Sequence, residues 1–231
     1  MSEDNLLSYL NDYVSEPKVL SLSQLTLDEQ KLIPQSWLSI LALEGKERFN
    51  KALSYWQPLS SEMSEVLFYL HTNIVSIDLV HHQYGYCLVY GVISEDDPDI
   101  TYYEARNPKT MQMSPAVADS WSLLPEKMCQ FYEQFHNGWY CLASGSMGLS
   151  PVEDFFFLAD EEWGILDDID MPPVDLSKTL AVYTNGAGGY LCFEFKDNND
   201  IAALLWWSSD APMLDLNFWD VADEWTLMGF E

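Results

Sequence analysis

Positive charge is what this chain has least of. Its 231 residues hold 10 lysines and arginines against 37 aspartates and glutamates, a formal net charge of −27 at pH 7. Such a balance repels DNA, RNA and anionic membrane surfaces over nanometre distances, so those partners are excluded and a neutral or basic one is expected. Cysteine is also scarce. Cys87, Cys129, Cys141 and Cys192 are scattered without C-x-x-C spacing, and three of them lie beside aromatic or apolar neighbours, the setting of buried thiols. That argues against a zinc site and against a disulfide framework. No run of 18 apolar residues occurs, and the opening "MSEDNLLSYLNDY" lacks the basic and apolar regions of a secretory leader. A cytoplasmic location is expected. Internal repeats and low-complexity tracts are missing too.

What the chain does have is apolar material. A hydrophobic content of 48% at this length suffices for a sizeable core, so the acidity belongs to a folded protein rather than a disordered one. The charge is uneven: residues 128 to 231 contain only Lys178 and Lys196 against 19 carboxylates. That half is the expected attracting face, although acidity serves solubility as well.

Periodicity divides the chain. Up to residue 57, and again from Ser60 to His71, apolar residues recur at helical spacing: Trp37, Ile40, Leu41 and Leu43, then Met63, Val66, Leu67 and Leu70. From Ile74 the period becomes two, in "IVSIDLVHHQYGYCLVYGVI", followed after the acidic turn "SEDDPD" by "DITYYEA", which predicts an antiparallel hairpin. The stretch 107 to 122 carries two prolines and little periodicity, so a boundary is expected there. Beyond it, Pro125 fits the first turn of a helix with Met128, Phe131, Tyr132 and Phe135 on one stripe, and Asn137-Gly138 is expected as its C-cap. "LSPVEDFFFLADEEWGILDDID" predicts a strand or short helix with an acidic flank. "TLAVYT", "YLCFEF" and "IAALLWW" read as strands. In the closing helix Phe218, Val221, Trp225 and Met228 share a face, with Asp215 or Asn217 as cap.

The glycine-rich "NGAGG" at 185 to 189 invites a phosphate-loop reading. It precedes a strand rather than a helix and lacks both the Lys-Ser/Thr ending and the G-x-G-x-x-G spacing, so it is expected to be a hairpin bend. No other segment assembles a catalytic set. His81 and His82 are adjacent in a strand and point to opposite faces. His136 is placed at a helix C-terminus, where the dipole favours a cation. "GSMGLS" at 145 to 150 is not G-x-S-x-G. The pairs Glu161-Glu162 and Asp167-Asp168 look like solvated faces, and "DDIDMPPVD" lacks the glycine and terminal glutamate of a calcium loop. No catalytic, cofactor-binding or metal-binding residue is assigned, and none of these groups marks the chain as an enzyme.

An acidic surface interleaved with aromatics remains. Trp163, bracketed by carboxylates in "DEEWGILDDID", is expected to be surface-active, whereas Trp219 and Trp225 are expected in the core. Trp desolvates a large rigid area at an interface, and neighbouring carboxylates steer a basic partner. The expected partner-binding residues are Asp160, Glu161, Glu162, Trp163, Asp167, Asp168, Asp170 and Asp210.

The order of segments in the second half resembles the SUKH superfamily. The residues that carry it are Leu124-Pro125 opening a helix with Phe131-Tyr132, Asn137-Gly138, the apolar run after Leu149-Ser150-Pro151, Asn185-Gly186-Ala187-Gly188-Gly189 leading Tyr190 to Phe193, Trp206-Trp207, and Phe218-Trp219 to Trp225. They span residues 120 to 231, about half the chain. The resemblance implies an α+β fold with a curved, mainly antiparallel sheet backed by helices, here over residues 115–231, leaving 1–114 as an N-terminal extension of helices and a β-hairpin. It implies no catalytic residues and no cofactor. Its best-known members are immunity proteins that bind a cognate bacterial toxin directly, frequently a nuclease or nucleic-acid-modifying enzyme; others are intracellular regulators. The expected partner is accordingly a basic toxin domain, and the alternative is a regulatory or scaffold protein of the same fold.

Overall fold

The computed structural model describes residues 3–94, 99–167, 171–197 and 200–230. The opening segment forms α1 (Glu3–Tyr13), the short strand β1 (Lys18–Leu20), α2 (Leu27–Leu32), α3 (Gln35–Leu41), α4 (Gly45–Ser54) and α5 (Ser64–Asn73). Then come β2 (Ile74–His82), β3 (Gly85–Ile93) and β4 (Ile100–Arg106), a meander rather than a lone hairpin. Residues 95–98 of the expected acidic turn lie outside the described residues. The stretch from 107 holds two short 3-10 turns and α6 (Pro115–Ser120), leading to α7 (Glu126–Gln134). The second half builds β5 (Asn137–Cys141), β6 (Ser146–Leu149), β7 (Phe156–Phe157), β8 (Thr179–Thr184), β9 (Gly189–Phe195), β10 (Ile201–Trp207), β11 (Met213–Leu216) and α8 (Phe218–Met228).

The class is α+β. Ten strands follow one path in the order β1-β2-β3-β4-β5-β6-β8-β9-β10-β11, with β7 added on β8, and every neighbouring pair is antiparallel. The segment expected as a boundary crosses over the sheet without interrupting it, because β4 on one side pairs with β5 on the other, Glu104 opposite Tyr140.

Alternation along the strands sorts side chains onto two faces. On one face Leu88, Tyr90 and Val92 of β3 and Leu191, Phe193 and Phe195 of β9 join the main core, beneath α3, α4, α5, α7 and α8. The other face carries two smaller cores. Val80, Val89, Tyr102 and Leu142 lie under Leu6 and Leu10 of α1, an i, i+4 pair on one side of that helix. Ala181, Cys192, Leu204 and Trp206 lie under Leu158, Trp163, Ile165 and Val174.

Local chemistry explains several boundaries. Asn217 caps α8, its side chain accepting from Trp219 N at 3.0 Å. The buried face of α8 consists of Phe218, Ala222, Asp223 and Thr226, whereas Met228, expected inside, is 49% exposed. Asp223 reaches out of α8 to the start of α5, where its carboxylate accepts from Glu65 N (3.0 Å) and Val66 N (2.9 Å). A carboxylate there satisfies two orphan helix donors and suits the positive end of the helix dipole. The glycine loop between β8 and β9 is the expected bend: Gly186 and Gly188 take φ of +75° and +84°, and Asn185 Oδ1 accepts from Ala187 N and Gly189 N.

Asn137-Gly138 departs from expectation. α7 ends at Gln134, and Asn137-Gly138 begins β5 instead of capping the helix. Gly138 has φ +79°, and a β-carbon there would stand 2.6 Å from Pro151 N, so its freedom serves a close strand crossing. Pro125 sits just before the first helical residue, at the N-cap.

Candidate functional site

Sequence pattern placed Trp163 outside; the fold turns it inward. Its side chain is 8% exposed, its Nε1–H donates to Leu158 O at 2.7 Å, and its ring packs against Tyr190 and Trp206 at centroid distances of 5.5 and 5.7 Å. The flanking carboxylates misled because Trp163 lies in the irregular link between two short 3-10 turns, Leu158–Asp160 and Gly164–Asp167, where neighbours in sequence face different ways. Asp160, Glu161, Glu162 and Asp210 are exposed as expected. The side chain of Asp167, and Asp168 and Asp170 altogether, lie outside the described residues.

His136 is not a dipole-stabilised cation either. It is fully buried, Nδ1 accepting from Trp37 Nε1 (3.2 Å) and Nε2 bonded to the Tyr90 hydroxyl (2.8 Å). Burial holds its pKa well below the ordinary histidine range, so the ring stays neutral.

The polar cluster that sequence reasoning did not single out sits on the α1 face of the central strands, further along them than the apolar patch under α1. Glu104 and Arg106 are two apart in β4 and therefore share a face; His82 and Cys87 come from β2 and β3, and Tyr140 from β5. Glu104 is fully buried with three partners. His82 Nε2 donates to Oε2 at 2.9 Å, while the Tyr140 hydroxyl (2.5 Å) and Arg106 Nε (3.3 Å) donate to Oε1. Burial works to raise its pKa, but the hydrogen bonds from His82 and Tyr140 and the Arg106 charge outweigh it and hold the carboxyl below the usual range. The same burial, with Glu104 beside it, pushes the Tyr140 phenol and the Cys87 thiol upward, so both keep their protons.

His82, Cys87 and Glu104 bring three ligand-type atoms within 4.8 Å of one another. The donor set does not suit a metal ion. Tyr84 N–H donates to His82 Nδ1 at 3.2 Å, so that nitrogen presents its lone pair and the ring proton sits on Nε2, facing Glu104. Nε2 then has no lone pair for an ion, the thiol is held protonated, and the Arg106 guanidinium already neutralises the carboxylate. The His82 and Glu104 side chains have no exposed surface, so no substrate reaches them for acid–base work. What the cluster does is hold Arg106 at the surface in one orientation, its guanidinium carbon 4.0 Å from the centre of the exposed Tyr84 ring. The E-x-R spacing in "TYYEAR" was the legible signal.

All four cysteines are free, as their spacing predicts. Among the described residues no helix is long and apolar enough to cross a membrane. No protein-family model, curated protein or solved structure matches the chain.

Proposed function

We propose that the protein is a non-catalytic acidic binder that neutralises a basic protein, a cognate toxin domain engaged in the manner of the SUKH immunity proteins its second half resembles. The observation that carries this reading is where the charge of that half goes. Asp160, Glu161, Glu162, Asp175, Asp197, Asp200, Asp210, Asp215, Asp220 and Glu224 are all exposed. Its two lysines are both engaged by carboxylates, Lys178 with Asp197 at 3.5 Å and Lys196 with Glu194 at 3.8 Å. Neither lysine of that half is left unopposed by a carboxylate to repel an approaching cation.

Apolar contact is offered beside the charge. The edge strand β11 exposes Met213 (59%) and Leu214 (44%) between Asp210 and Asp215. Carboxylates around an apolar strip are suited to steering a basic surface and then desolvating part of it. Trp163 acts from beneath, holding the segment that carries Asp160 to Glu162.

The test is affinity capture from the source cell, followed by competition between the wild type and the combined variant Asp160→Lys, Glu161→Lys, Glu162→Lys and Asp210→Lys. A basic partner that prefers the wild type supports the proposal. Capture of an acidic protein, or equal retention by the two forms, removes it.

A further inference from the structure

Arg106 is half used. Its Nε is spent inside the fold on Glu104 and the Tyr140 hydroxyl (3.0 Å), and no bond to its two terminal nitrogens occurs among the described residues. Those nitrogens carry four N–H donors in a planar fork. The guanidinium borders a cavity of about 240 Å³ lined also by Gln83, Tyr84, Gln112, Asn137 and Glu153. Tyr84 stacks on one side of it and the Tyr140 ring centre lies at 5.5 Å. A guanidinium so held, with its carboxylate partner behind it, is preorganised to accept a carboxylate from the cavity side.

The cavity wall is not simply cationic. Glu104 cancels the charge of Arg106, and Glu153 brings a further carboxylate, fixed by Gln112 N and Asn137 Nδ2, both at 2.7 Å. A bare anion would thus meet a net negative wall in a chain of charge −27. A ligand bearing a cation beside its carboxylate meets a partner for each.

We propose that this cavity binds a small zwitterion, an α-amino acid with a short side chain, its carboxylate on the free edge of Arg106 and its ammonium toward Glu153. The volume limits the side chain: it falls below the roughly 300–1,000 Å³ of drug-sized sites and suits glycine, alanine or serine. Tyr84 and Gln83, at the two-residue tip between β2 and β3, form the rim. The site is independent of the acidic surface and does not rest on the toxin reading.

Calorimetric titration of the full chain with glycine, L-alanine and L-serine, and with acetate and methylammonium as half-ligands, tests it. Saturable binding at millimolar concentration is expected for the amino acids and not for either half-ligand. Tyr84→Ala, at an exposed tip, and Arg106→Lys, which keeps the charge facing Glu104, should each weaken it about tenfold, the loss of one good charge-assisted contact. No saturable heat with any amino acid overturns the proposal. So does acetate binding as well as glycine, or binding that neither variant changes.

Discussion

His136 and Glu104 respond to acid in the same direction, for different reasons. The buried His136 ring has a pKa well below its unfolded value, so the folded state takes up fewer protons than the unfolded chain. Stability is therefore intact above about pH 6.5 and declines as the pH falls below it. His81, lowered by burial and by His82 and Lys18, adds to that stage. Glu104 is also lowered, and its contribution, present above about pH 4.3, is lost as the pH falls further. Urea midpoints measured from pH 8 down to pH 2 should fall in two stages, and His136→Gln should flatten the first. A midpoint that stays level between pH 8 and pH 5 would contradict the burial of a neutral histidine. The burial of His136 could not be recognised from sequence alone. "FHNGW" reads as a helix end, and only the packing of Trp37 and Tyr90 from distant segments makes His136 a core residue.

Elements are held together by contacts that local pattern does not reveal. The Asp223 carboxylate links α8 to the first turn of α5, across 157 residues of sequence from Val66. Asp223→Ala should cost about 1–2 kcal/mol by removing this cap, and Asp223→Asn, which keeps an acceptor, clearly less. Equal losses in chemical denaturation would show that the charge and cap are not the cause. Trp163 offers a sharper contrast. If it fills the core under Leu158, as its burial shows, Trp163→Ala should cost about 3–5 kcal/mol, while a folded Trp163→Phe protein keeps its partner affinity. Lost affinity with unchanged stability would restore the surface role its neighbours in sequence suggested. Strands β2, β3, β4, β8, β9 and β10, the glycine bend and the closing helix were legible because periodicity and turn chemistry are local, whereas β1, β5, β6 and β11 were not. The meander across β4 and β5 was not, because pairing across the 107 to 122 segment depends on contacts far apart in the chain.

For the whole molecule, charge is the property that sequence conveyed best, since exposed carboxylates need no fold to be counted. Net charge of this size opposes compaction, so sodium chloride should raise the midpoint of thermal unfolding, most steeply below about 0.1 M, where screening lengths reach about 10 Å or more. A midpoint insensitive to salt would mean that the carboxylates are spread too thinly to repel one another. The same field should reach a partner before contact. The most direct test is the association rate of the captured partner with the wild type and with the four-lysine variant across a range of ionic strength. The account predicts a wild-type rate that falls steeply with salt and a slower, nearly flat rate for the variant. Identical rates for the two proteins at every salt concentration would contradict it.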